Sequence, residues 1–207
     1  LQAIARLARM DVGLRVACID HASWDTHDAQ PGRFNGLVGQ LSRGLAAFQR
    51  DMAATGTDYR IVVMTEFGRR LRSNRSQGTD HGHGAAMLLL GSGVHGGRMF
   101  GSWPGLDTPR LDQGVDLAVT TDFRQVLAET LASVACYSTL DHGRQTCVGL
   151  EINANHLRGA RAGYVTGRAT PLHRGRSTQV WDIRLRDDEG RATCIARCTM
   201  AILSTLA

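Results

Sequence analysis

The sequence predicts two unlike halves, an α/β part over residues 1–124 and an α+β part, one helix followed by an antiparallel sheet, over residues 125–207. Three observations carry this reading. Up to about residue 124, short apolar runs alternate with one long helical period, and polar clusters follow the runs. Beyond it the apolar period changes from that of a helix to the two-residue alternation of strands. Between the two, residues 122–137 (DFRQVLAETLASVACY) form a helix with Val126, Leu127, Leu131 and Val134 on one face and Asp122 with Gln125 as a capping-box-like start. Glu129 and Ser133 stack on the flank of that face, four residues apart.

In order along the chain, residues 14–19 (LRVACI) predict a buried strand that ends at the polar cluster 20–27 (DHASWDTH). Residues 34–54 carry Leu37, Val38, Leu41, Leu45, Phe48 and Met52 at helical spacing, and Gly56 stops that helix. A second strand, residues 60–64 (RIVVM), runs into Thr65, Glu66, Phe67, Gly68 and Arg69. The loop GTDHGHG (78–84) precedes a third apolar run, 85–90. In the second part, residues 147–158 place Val148, Leu150, Ile152 and Ala154 on one face against Glu151, Asn153 and Asn155. Residues 164–172 predict a strand that closes on the basic turn His173, Arg174, Gly175, Arg176. Residues 179–186 alternate Trp181, Ile183 and Leu185 with Asp182, Arg184 and Arg186, and a turn follows at 187–190. Residues 191–203 are apolar on both faces for much of their length and belong in the middle of a sheet.

The net charge is +5, and every one of the 24 basic residues is Arg. They are spread among acids with 5% aromatics, which argues against a nucleic-acid surface. No apolar run is long enough to span a membrane, and no signal peptide is read. The chain opens on Leu1 rather than Met, which leaves room for an upstream segment. The five cysteines lie scattered without a CxxC, as expected of reduced thiols in a cytoplasmic protein.

Three clusters hold candidate metal ligands: Asp25 with His27, Glu66, and Asp80 with His81 and His83. Hard oxygen and imidazole donors suit a divalent metal (Zn, Mn or Mg), which would activate water or polarise a phosphate or sulfate ester. The same short-range Asp/His pairs also cap turns. SWDTHDAQ, VVMTEFGRR, GTDHGHGAAMLLLGSGVHGG, MFGSWPGL and DLAVTTDFRQVLAE together resemble the C-terminal half of the bacterial family called domain of unknown function 1501, a relative of the alkaline phosphatases and sulfatases. That resemblance implies a truncated alkaline-phosphatase-like fold over 1–124. It puts metal ligands at Asp25, His27, Glu66, Asp80 and His81 and an anion contact at Arg69. The half in which relatives carry the nucleophile and the first ligands is absent, so this part is expected to be catalytically silent by itself.

VLAETLASVACY, CVGLEINANHLR, GYVTGRATPLHRGRSTQVWDIRLRDDEGR and CIARCTMAIL resemble hotdog-fold acyl-CoA thioesterases of the phenylacetate-degradation type, and among them the 1,4-dihydroxy-2-naphthoyl-CoA thioesterases. The resemblance implies an acyl-CoA, in particular aryl-CoA, substrate, a homodimer or homotetramer, and no required cofactor. It gives Glu129 the catalytic carboxylate, Ser133 the positioning of water or substrate, and His156 a place near the acyl group. His173, Arg174 and Arg176 become partners of the CoA phosphates. By periodicity alone Glu129 is a solvated acid, His156 a structural histidine and the two arginines turn charges. The family's first strand and its His-Gly-Gly element, which supplies an oxyanion amide, are missing before the helix. His95-Gly96-Gly97 has those letters but lies too far upstream. Two families sharing VLAE read as a chimera joined there, with an inactive chain as the alternative to an enzyme.

Overall fold

The structure, a computed structural model, describes residues 1–14, 16–94, 96–141, 144–159 and 165–204. They fall into two units, Leu1–Thr120 and Thr121–Ala207. In the first, helix α1 (Gln2–Arg9) lies against α2 (Gln30–Thr55). Pro31 sits in the first turn of α2, where its missing N–H leaves no bond unmade, and Gly56 ends the helix at φ 63°. Ala5, Phe48 and Met52 are buried between them, and Tyr59 meets Phe48 edge-on at 5.2 Å.

The strands of this unit depart from the α/β pattern. β1 (Arg60–Val63) pairs antiparallel with β4 (Leu88–Gly91), and β2 (Gly68–Arg69) with β3 (His81–Gly82). These are two separate two-stranded ladders rather than one sheet. Among the described residues of the strand expected at 14–19 none is in strand; Val16 is 79% exposed and Ile19 50%. An apolar run becomes a strand only where a neighbour takes its N–H and C=O groups, and none among the described residues pairs with it.

The second unit opens on α3 (Phe123–Tyr137), capped by Asp122, whose carboxylate accepts from the Arg124 backbone N–H at 2.9 Å. The capping partner is thus Arg124 rather than Gln125. Four antiparallel strands follow, β5 (Gln145–His156), β6 (Val165–Arg174), β7 (Thr178–Asp187) and β8 (Ala192–Ser204), ordered β5-β8-β7-β6. β8 is internal, as its two apolar faces require. Trp181, Ile183 and Leu185 are buried, in register with the alternation read from β7. β6 is an edge strand, where Pro171 is tolerated beside a bulge. Tyr164, expected to begin it, lies outside the described residues.

One face of the sheet receives α3, but not by the helix face expected. The buried line is Ala128, Ala132 and Cys136, each fully buried, while Val134 is 42% exposed. Small side chains at this spacing let the helix approach the sheet closely. Leu131 finds room over Gly167 of β6, where a Cβ would fall 2.9 Å from its Cδ2. β5 also departs from expectation. Gly149 pairs with Met200 and Glu151 with Thr199, so Leu150 is an extra residue and is 60% exposed. The bulge shifts the parity of the strand: Cys147 packs into the core before it, and Ile152 and Ala154 after it. Val148 and Leu150 therefore do not share a core face with Ile152 and Ala154.

Candidate functional site

In the second unit the bulge and the helix flank meet. Glu129 is exposed on α3, and its Oε1 lies 3.2 Å from where a Cβ on Gly149 would stand. A side chain at 149 would crowd the carboxylate, so a glycine beside the bulge opens the space in front of Glu129. Ser133, one turn on, is half-buried, and its carbonyl accepts from the Cys147 thiol at 3.8 Å. Beneath them burial, with the charges of Glu129 and Glu151 added, pushes the Cys198 thiol up to about 12. Burial likewise raises Cys194. The Cys136 thiol is raised by its hydrogen bond with Cys147. The burial that raises these thiols disfavours the thiolate that a nucleophile needs.

His156 ends β5 with Nε2 3.6 Å from Asp122 Oδ2, and its Nδ1 is buried with no hydrogen-bond partner among the described residues. At the far end of α3 a cleft of about 400 Å³ is lined by Thr139, Gln145, Arg174, Arg176 and Gln179, among others. Both arginines are exposed, and His173, also exposed, packs on Gly175. Gln179 is buried; its Nε2 donates to Thr139 Oγ1 at 2.9 Å and its Oε1 accepts from Trp181 Nε1 at 3.1 Å. Sequence reading gave Asp122 only a capping role and passed over Gly149 and Gln179. The polar Gln179 at an inward position of an alternating strand was the visible signal; a bulge has none. His95, first of the misplaced His-Gly-Gly letters, lies outside the described residues.

The first unit gathers its candidate ligands through one loop. Asn74 donates to the His27 carbonyl at 2.9 Å and to Asp80 Oδ1 at 3.2 Å, while its Oδ1 accepts from the Ser76 and Gly78 amides. A Cβ on Gly78 would fall 2.0 Å from the His27 carbonyl, so only glycine lets these loops touch. Asp25 Oδ1 then lies 3.0 Å from His27 Nε2 and 2.9 Å from His81 Nε2. Among the described residues these three converge, their ligating atoms within 4.8 Å of one another. Asp80 falls outside that trio and instead bonds the second nitrogen of His27 at 3.3 Å. Glu66, expected among the ligands, also falls outside, on the exposed bend after β1. Arg69 is no open anion contact, because its guanidinium donates to Asp25 Oδ1 and to the Trp24 and Thr79 carbonyls. His81, with Arg69 behind it, holds the Asp25 carboxyl below its usual range, and Asn74 and His27 do the same for Asp80.

A single helix laid across a four-stranded antiparallel sheet, with an acid on the helix flank, is the hotdog thioesterase fold, and residues 126–194 match the Thioesterase superfamily. Residues 2–135 match the family described as Protein of unknown function (DUF1501), and the chain belongs to that family. Both matches run through residues 126–135 of α3. The 1,4-dihydroxy-2-naphthoyl-CoA hydrolase of Escherichia coli is 54% identical over 78 residues, 38% of this chain and 57% of the relative. The enzyme of the same name from Listeria monocytogenes is 46% identical over 77 residues, 37% of this chain and 62% of the relative. The crystal structure of a mutant thioesterase from Pseudomonas aeruginosa is 50% identical, with a TM-score of 0.40 over 42% of this chain and 63% of that one. The chain spans about half the length of the curated relatives it matches. Among the described residues no helix is long and apolar enough to cross a membrane.

Proposed function

We propose that the second unit hydrolyses an acyl-CoA thioester, with an aryl acyl group, and that Glu129 is its catalytic base. The observation that carries this is the Glu129 carboxylate poised over the glycine of the β5 bulge, with Ser133 one turn away. Glu129 takes a proton from water as the water oxygen attacks the thioester carbonyl. Collapse of the tetrahedral intermediate breaks the C–S bond, and the proton passes to the departing CoA thiolate. Arg174 and Arg176, on the rim of the polar cleft, supply charge-assisted bonds to the CoA phosphates, with His173 beside them. The domain acts as a homodimer or homotetramer in the cytoplasm. The two families meeting in α3 support a fusion at VLAE.

The test is thiol release from benzoyl-CoA and 1,4-dihydroxy-2-naphthoyl-CoA. Cleavage of either supports the reading, and no cleavage of any acyl-CoA ends it. Replacing Arg174 and Arg176 by Met is expected to raise KM by about tenfold or more with kcat little changed, as for loss of about 1.5–3 kcal/mol per charged hydrogen bond. An unchanged KM would remove the phosphate role.

A second reading rests on the convergence of Asp25, His27 and His81. Two imidazoles and a carboxylate fit a divalent cation such as Zn, and Asp80 on the far nitrogen of His27 fixes that ring as outer-shell carboxylates do. A bound metal there would polarise a phosphate or sulfate ester, the chemistry of alkaline-phosphatase relatives. Purified chain is expected to carry stoichiometric metal by elemental analysis, lost in His27→Ala, and Asp80→Asn to bind it about 10–100-fold more weakly. Metal-free protein, or metal retained in His27→Ala, would refute the site.

A further inference from the structure

The thioesterase match begins at residue 126, after the helix cap, so it assigns nothing to Asp122. Yet Asp122 is built into that domain. Its Oδ1 accepts from the Arg124 backbone N–H and from Arg124 Nε, each at 2.9 Å, and its Oδ2 from the guanidinium at 2.5 Å. Arg124 in turn donates to the Arg158 carbonyl at 3.1 Å, which ties the start of α3 to the end of β5. The Asp122 carboxylate so fixed faces His156 Nε2 at 3.6 Å, and the side chains of both residues are less than a third exposed. Cys194 of β8 pairs across the ladder with His156.

We infer that Asp122 is a positioning residue for His156, fixing its ring orientation and tautomer so that the proton sits on Nε2 and Nδ1 keeps its lone pair. The inference rests on the thioester reading of this domain. A carboxylate beside one ring nitrogen favours the proton on that nitrogen, because the N–H dipole then points at the negative charge. Nε2 faces Asp122, so Nδ1 keeps its lone pair. Nδ1 is also the atom buried without a hydrogen-bond partner among the described residues, so its capacity to accept is left unused by the fold. Arg124 matters because it holds both carboxylate oxygens in place and balances their charge. Asp122 precedes Glu129 by seven residues, two helical turns, so the cap and the catalytic base lie on the same side of α3.

Asn caps a helix about as well as Asp, so Asp122→Asn separates the carboxylate's charge from its capping role. The decisive measurement is 15N NMR of the imidazole nitrogens of the full chain, with His156→Gln to assign the signal. Wild type is expected to show the Nε2–H tautomer at His156, and Asp122→Asn to lose that preference while the thermal midpoint holds. In the thioester assay Asp122→Asn is expected to lower kcat about tenfold with KM little changed, as for a misoriented group. In the His156→Gln background it should then have no further effect. An unaltered nitrogen signature, or effects of the two substitutions that multiply, would overturn the inference. Failure to cleave any acyl-CoA instead sinks the thioester reading, and the nitrogen signature still decides whether Asp122 governs His156.

Discussion

Glu129→Gln is expected to lower kcat for thioester hydrolysis by about 10²–10⁴-fold, the usual contribution of a positioned base, with the fold unchanged. Gln keeps the length and polarity of the side chain and removes only the proton acceptor. Glu129 is exposed, so the substitution should move stability by no more than about 0.5 kcal/mol. Loss of activity with a native circular dichroism spectrum and thermal midpoint therefore reads on chemistry alone. Competing candidates are weaker. Glu151 lies beyond the bulge, its carboxylate at 3.5 Å from the Thr199 hydroxyl, and the Cys198 thiol is pushed up to about 12. Thiol release within about tenfold of wild type would remove the catalytic role. Gly149→Val makes a useful companion, since its side chain would press on Glu129 Oε1 without touching its charge.

The parts legible in the sequence are those in which a residue's local pattern and its tertiary fate coincide. β7 alternates in sequence and alternates in burial from Trp181 to Leu185. β8 is apolar on both sides and is internal. The helix at 123–137 announces itself through period and cap. Its buried face was not legible, because Ala128 and Ala132 carry little hydrophobic signal and are chosen for closeness to the sheet, while the larger Val134 is left outside. The bulge at 149–151 was invisible for a related reason, since one unpaired residue reverses the inside and outside of a strand without changing its composition. In the first unit the candidate ligands Asp25, His27 and His81 were legible as residue types. Their convergence depends on Gly78 and Asn74, which join two loops about fifty residues apart. Glu66 differs for the complementary reason: its sequence neighbourhood resembles a ligand cluster, and its place in space is an exposed bend outside the trio.

Ile183→Ala is expected to destabilise the second unit by about 2–5 kcal/mol, the cost of removing three carbons from a packed core. Ile183 is fully buried on β7, with β8 on one side and β6 on the other, and belongs to the cluster that joins the sheet to Ala128, Ala132 and Cys136 of α3. The small residues of that helix line cannot swell to fill the gap, so the cavity term adds to the lost transfer energy. Against a typical domain stability of about 5–15 kcal/mol this is a large fraction of the total. Trp181, two residues away and 4% exposed, reports the transition directly in a urea titration followed by fluorescence. Leu172→Ala is the control, because Leu172 is 62% exposed beside the edge-strand bulge and should cost about 0.5 kcal/mol or less. If the two substitutions shifted the midpoint equally, the layer between α3 and β7 would not be the core that holds Glu129 over Gly149.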